Sequence, residues 1–375
     1  MSKEKILKMY ENPLNDIWDN KSITYDTNLY NWYDRFLSVA QELKPDITDL
    51  QKIHEHFQLE ELIGLRLHFE KYTRGEEFSS LIDQWVEEYV SDKIEEDDYF
   101  IQQTAGVRVV IPNQGKLGRL LPFHSGFWTG YDNHTHTCWF PLTKAWDSNT
   151  MQVMSWENSI DIVKTIYDNQ LSYEEMERLC CENSWPVNLD YGQVWLFNQG
   201  HLHGNINNET GVSRVSFDIR VISTKSEFEF RKPGSYYRLP GDSSEKAFQK
   251  LDTTGKWLIF TDPCSNFTYP TPHYMVREFM FQYANRIGIK PTDWTNEYYM
   301  IDWFPTFKYR LTQDYSGIML PSIFSLNSTI EESIEMIQLG LDQGIQLLFC
   351  DENIVVTDEQ DLYKVERLLR LKEKQ

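Results

Sequence analysis

Basic residues are in short supply. Lys and Arg number 36 against 57 Asp and Glu, a formal net charge of −21. A chain this acidic repels phosphate backbones and is expected to be a poor nucleic-acid binder. Cysteine is also sparse: five residues, an odd number, with Cys180 and Cys181 adjacent and no Cys-x-x-Cys pair. That argues against a disulfide framework and against a structural zinc site. No apolar run approaches the ~18 residues of a membrane-spanning helix. The opening residues, Met1 to Lys8, lack the apolar core of a signal peptide, so a cytoplasmic location is expected.

What is present is an ordinary globular mixture, 41% hydrophobic and 25% charged over 375 residues. The length predicts two or three domains. Aromatic residues reach 14%, which predicts well-filled cores or a ring-lined pocket. Residues 1–95 read as helical, with apolar positions three and four apart in 47–69 and 78–90. From about residue 98 the texture becomes short β-branched or aromatic runs, at 107–111, 137–141, 193–197 and 214–221, separated by Gly, Asn and Pro. Such strands suggest a sandwich or barrel. A helical insertion at 159–183 interrupts them. Residues 223–254 are polar and hold Pro233, Gly234, Pro240 and Gly241, the best linker candidate. Beyond it strands and helices alternate, predicting a small parallel α/β domain.

Two stretches carry chemistry. The first is Leu-Pro-Phe-His-Ser-Gly-Phe-Trp-Thr-Gly over 121–130, continuing through His134, His136 and Trp139. The second runs from Tyr191-Gly192 through Phe197 and His201 to His203-Gly204-Asn205, then to Arg214-Val-Ser216. Five of the nine histidines fall here, which marks these stretches for imidazole chemistry. Histidines from two distant strands can converge on one metal, and imidazole suits iron. Arg214 and Ser216 lie on one strand face by period two, and a guanidinium beside a hydroxyl matches a carboxylate. Arg108, Lys116 and Arg119 are further candidates for an anionic substrate group, or are solvated loop charges.

The paired blocks resemble the iron(II)/2-oxoglutarate oxygenases, in particular the phytanoyl-hydroxylase-like branch and its sporadic carbohydrate cluster family. The resemblance covers about residues 95–225. It implies an α+β architecture with a double-stranded β-helix (jelly-roll) core under N-terminal helices, over residues 1–240. It implies Fe(II), 2-oxoglutarate and O2 as cofactors, with His124 and His203 as metal ligands. Arg214 and Ser216 would hold the far carboxylate of 2-oxoglutarate. Arg108, Trp128, His134, His136 and Trp139 are expected at the substrate, an anionic or sugar-containing small molecule.

One position departs from the family. Two residues after His124, where a carboxylate ligand is usual, stands Gly126. Halogenase relatives show the same replacement, and chloride takes the vacated place. The resemblance therefore implies radical halogenation, with Gly126 as the vacant carboxylate position and halide site. The alternatives are hydroxylation with a third ligand from elsewhere, such as Asp132, His134 or His136, and a non-catalytic metal- or sugar-binding partner. Residues 255–375 resemble the small companion protein of these oxygenases, fused here, and also a Rossmann-like, resolvase-type fold. The arginine-rich recombinase signature is missing after Ser325, so an interaction or substrate-presenting module is expected.

Overall fold

The computed structural model describes residues 3–11, 16–94, 99–113, 122–226, 236–242, 248–262, 273–297, 304–326 and 329–373. The chain divides into two compact units: Met1–Arg231 with Leu239–Gly241, and Lys232–Arg238 with Asp242–Gln375. Among the described residues no helix is long and apolar enough to cross a membrane.

The first unit mixes helix and sheet. Its N-terminal helices are α1 (Lys3–Met9), α2 (Trp32–Leu43), α3 (Leu62–Thr73) and α4 (Glu76–Tyr89). α2 buries Trp32, Phe36, Val39 and Ala40, and α4 buries Phe78, Ile82, Trp85 and Val86. These spacings give each helix one apolar stripe. The strands are β1 (Lys21–Thr24), β2 (Tyr99–Gln102), β3 (Gly106–Val110), β4 (Thr135–Pro141), β5 (Met151–Val153), β6 (Trp185–Pro186), β7 (Gln193–Asn198), β8 (His203–Asn205) and β9 (Arg214–Ser223). The main sheet contains the order β1-β7-β4-β9-β2, with β3 also paired to β9; a smaller sheet has the order β6-β5-β8. These pairings are antiparallel.

Alternation along the strands separates two faces. Val215, Phe217, Ile219 and Val221 of β9 join Cys138, Phe140, Val194 and Leu196 in the core under the helices. Phe217 stacks on Phe36 at 5.5 Å and on Phe140 at 4.4 Å. Much of the aromatic content is therefore core. The opposite face of the sheet meets the smaller one, and Trp139 and Phe197 pack there with Met151, Val153, Val187 and Leu189.

The helical insertion is two helices, Trp156–Asn169 and Tyr173–Asn183. Gln170 adopts a left-handed conformation, and a Ser172–Glu175 capping box starts the second helix. A capping box supplies partners for the free N–H groups of a new helix, so the chain restarts there.

The second unit carries a five-stranded sheet. Trp257–Thr261 pairs in parallel with Pro291–Asn296 on one side and Gly317–Leu320 on the other. Gln346–Phe349 extends it in parallel, and Ile354–Val356 closes it antiparallel. Helices His273–Arg286, Pro305–Leu311, Ile330–Asp342 and Glu359–Glu373 alternate with these strands. Just past the strand ends, the Ile323 amide donates to the buried Glu352 carboxyl at 3.0 Å and the Ser322 hydroxyl also donates to it. Burial pushes that carboxyl up to about 8.

Candidate functional site

A small pocket lies on the sheet face opposite the helical core. Strand register builds it. Arg108 of β3 sits opposite Ser216 of β9, Trp139 of β4 opposite Asp218, and Thr137 opposite Arg220. Phe197 of β7 sits on the other side of Thr137. Arg214, Ser216, Asp218 and Arg220 are every second residue of β9. All four therefore leave the apolar face to their odd-numbered neighbours.

His124 and His203 meet at the pocket wall. Their backbones form an antiparallel bridge, with the His124 amide 2.9 Å from the His203 carbonyl and the reverse bond at 3.1 Å. Their ring centroids are 4.4 Å apart. Each Nδ1 lies against a backbone carbonyl, that of Pro122 at 2.9 Å for His124 and that of His201 at 2.8 Å for His203. A carbonyl only accepts, so each Nδ1 carries the proton and each Nε2 presents a lone pair. This second hydrogen bond is the usual means of orienting a metal-binding imidazole. Burial lowers the pKa of both rings, and that of His203 is lowered further by His124. Both are neutral near pH 7, the form that binds metals.

Arg214 is almost fully buried, with its guanidinium over the Trp139 ring at 5.4 Å. Its Nε and Nη1 have no hydrogen-bond partner, and neither does the buried Ser216 hydroxyl. Burial, with Arg108 nearby, pulls the guanidinium down to about 9. A buried cation without a partner is costly, and a carboxylate placed there would satisfy all three groups. Asp218 is already committed. It accepts from Arg220 and lies 3.8 Å from Arg108. Gly106, opposite it, makes room: a β-carbon there would stand 2.8 Å from the Asp218 carboxylate.

Gly126 does not sit as the sequence suggested. The chain leaves extended structure after Ser125, and Gly126 opens a 3-10 turn, Gly126–Thr129, capped by the Ser125 hydroxyl. The place beside its α-carbon is not vacant. The side chain of buried Gln199 fills it.

Of the expected substrate contacts, Arg108 and Trp139 line the pocket; Trp128, His134 and His136 do not. Parity explains His136. It is the even residue between Thr135 and Thr137 and stacks on Trp18 at 4.3 Å, facing away. His134 precedes β4, and its amide donates to Asp132. Trp128 packs with the helical insertion. Asp132 also accepts from Thr135 and Ser226, so it closes a turn. His201 does not share the His203 face, because β8 begins only at His203. Its ring lies against Met154 and Asn20 instead. Lys116 and Arg119 lie outside the described residues. Among the described residues no group of three or more His, Cys, Asp or Glu gathers as a metal site.

Residues not singled out by sequence also line the pocket, including Thr137 and Met151. Period two from Trp139 would have found Thr137. Met151 is brought in by the smaller sheet, which leaves no local signal.

No family model matches the chain. It is similar to the streptomycin biosynthesis protein StrG of Streptomyces griseus, 28% identical over 144 residues, or 38% of this chain. The match spans 56% of that relative's length. Similar solved structures include the non-heme monooxygenase ThoJ in complex with nickel (14% identity, 56% of this chain and 76% of that one, TM-score 0.33). Another is the non-heme alpha ketoglutarate dependent carbocyclase SnoK (10%, 60% and 85%, TM-score 0.29). A third is the N-terminal catalytic domain of the TP901-1 integrase (11%, 32% and 95%, TM-score 0.27).

Proposed function

We propose that the first unit is an oxygenase of the iron(II)/2-oxoglutarate kind. His124 and His203 hold the metal through Nε2, and Arg214 with Ser216 binds the far carboxylate of 2-oxoglutarate. One observation carries this reading. Two imidazoles have their Nδ1–H groups tied to carbonyls and their Nε2 lone pairs free, in the same pocket as a buried, unpartnered guanidinium. Imidazole nitrogen suits iron, and iron bound there would supply dioxygen activation and attack on a substrate C–H bond. The protein's own part is positional. The two carbonyls fix the imidazoles, Arg214 orients the co-substrate from its far end, and the apolar wall of Trp139, Met151 and Phe197 limits water.

The pocket also gathers Arg108 and Arg220 against the single carboxylate Asp218. With Arg214 engaged by the co-substrate, this balance favours a substrate bearing a phosphate or carboxylate. Similarity to a streptomycin biosynthesis protein supports a small biosynthetic metabolite. Chloride-dependent halogenation is the second reading. It is favoured by the lack of a carboxylate at position 126, beside which Gln199 brings only a neutral carboxamide.

Titration of iron(II) and 2-oxoglutarate into the parent, His124→Ala and His203→Ala proteins tests the site. One metal per chain in the parent and none in either variant is expected. Unchanged binding in both variants would reject the assignment. Succinate release with and without chloride, and product masses at saturating chloride, separate halogenation from hydroxylation.

A further inference from the structure

We infer that Gln199 is a specificity-determining residue for the metal site. Its carboxamide occupies the place a carboxylate ligand at position 126 would need, so the two-imidazole ligand set is written at two positions, 126 and 199. This rests on the reading of His124 and His203 as ligands.

Why position 126 is glycine can be decided between two physical causes. The backbone there does not take the left-handed conformation that favours glycine, since Gly126 is not among the residues of positive φ. Space is the cause. A β-carbon on Gly126 would run into Gln199 Oε1 and stand 2.8 Å from both Cβ and Cδ of Gln199. The Cβ is not the mobile tip of a side chain. No rotation of Gln199 about its own bonds relieves that contact, so the two segments would have to separate.

Two contacts hold these segments together, and a third ties the Gln199 side chain to β4. The Gly126 amide donates to the Gln199 carbonyl at 2.8 Å. The Gln199 amide nitrogen of the side chain donates to the Thr137 hydroxyl, on the strand that lines the pocket. Two residues along, His124 and His203 exchange both backbone bonds. The carboxamide is thus clamped between the histidine bridge and β4, and glycine is the only residue that leaves room for it.

The chemical consequence concerns charge. A carboxylate in this place would bring a negative ligand to the metal. The carboxamide is neutral, so with two neutral imidazoles the protein contributes no anion there. The metal keeps its full charge for anions from solution, among them the co-substrate and a halide. Restoring an Asp at 126 by itself cannot reverse this, because the Asp side chain has nowhere to go.

Cobalt(II) binding to the full-length chain tests the inference, read by calorimetry and by the visible cobalt spectrum. Four proteins are compared with the parent: Gly126→Asp, Gln199→Gly, Gly126→Asp/Gln199→Gly, and Gly126→Ala. Gly126→Asp alone is expected to bind cobalt no more tightly than the parent and to melt several degrees lower, as an overpacked site does. The double variant is expected to bind at least about tenfold more tightly than Gln199→Gly, on the scale of an added charged ligand interaction, with a changed cobalt spectrum. Gly126→Ala supplies a readout that does not involve metal: it should lower the melting temperature in the parent, but not in the Gln199→Gly background. Tightening by Gly126→Asp alone to the level of the double variant would overturn the inference. So would a double variant no tighter than Gln199→Gly. If His124→Ala and His203→Ala bind cobalt as the parent does, the ligand reading itself has failed, which is a separate result.

Discussion

At the scale of single residues, the pocket joins groups that suit each other poorly until ligands arrive. Arg214 is the sharpest case, a buried cation with two unpartnered nitrogens. Replacing it with Met keeps much of the volume and removes the charge. 2-Oxoglutarate binding should weaken by about 2–5 kcal/mol, the range for removing one partner of a buried charged pair, as read by calorimetry. The ligand-free protein should melt no lower than the parent, because an unpaired buried charge has gone. A lower melting temperature with unchanged 2-oxoglutarate affinity would make Arg214 a structural residue. His136 makes the complementary point. Burial lowers its pKa to about 3, whereas an unfolded histidine titrates near 6.5. As pH falls below about 6.5 the unfolded chain takes up that proton first. The stability His136 contributes is therefore full above about pH 6.5 and is lost as pH falls toward about 3. His136→Phe preserves a flat ring on Trp18 and removes the proton. Denaturant titrations of the metal-free chain should show a shallower acid decline across that window. Other buried histidines keep the remaining slope.

At the scale of elements, β9 states the design most plainly, with one face for the core and one for the ligand. Adjacent residues should therefore fail in different ways. Phe217→Ala removes a ring stacked between Phe36 and Phe140 and should cost ~3–5 kcal/mol of stability, with 2-oxoglutarate affinity little changed in the protein that still folds. Ser216→Ala should leave stability within ~1 kcal/mol yet weaken 2-oxoglutarate binding by about tenfold or more, the worth of a hydrogen bond to a charged group. Equal effects of the two on binding would mean the parity assignment is wrong. This alternation was legible from sequence because β9 is long and regular, and so was the helix at 78–90, which is α4; the 47–69 run was legible only in part, because 3-10 turns occupy Leu50–Glu55 and Leu59–Glu61 and the α-helix begins at Leu62. The pocket parity of β4 was harder to read. Its apolar run reads as 137–141, and His136 looks more chemical than Thr137, although period two from Trp139 selects Thr137. Gln199 had no local signal at all. It reaches Gly126 only because the bridge between His124 and His203 brings two distant segments side by side. The strand Pro291–Asn296 has little sequence signal for a simpler reason: it is a polar edge strand opening on proline, and such strands carry little apolar pattern.

At the scale of the whole molecule, each unit has its own buried clusters. Among the described residues, three clusters of the first unit draw on residues before Arg231, and one of the second on residues after Asp242. The chain nevertheless changes unit three times, after Arg231, Arg238 and Gly241, so a boundary is not a single cut. Residues 239–241 belong with the first unit, and the Gly241 amide donates to Asp83 at 2.7 Å. Two separate cores predict two thermal transitions, and the buried titratable groups give them opposite pH responses. The first unit holds histidines whose pKa values are lowered by burial, so it should lose stability as pH falls below about 6.5. The second holds Glu352, raised by burial from 4.5 to about 8. For a raised carboxyl the folded state binds the proton more tightly than the unfolded state. Its contribution is full below about 4.5 and is lost as pH rises through about 8. Calorimetric scans of the full chain between pH 5 and 8 should therefore show one transition moving up and the other moving down. Glu352→Gln should flatten only the descending one. A chain ending at 241 should keep the acid-sensitive transition, bind one cobalt ion and lack the other transition. A single transition that moves as one in the full chain, or an insoluble 1–241 chain, would show that the two cores depend on each other.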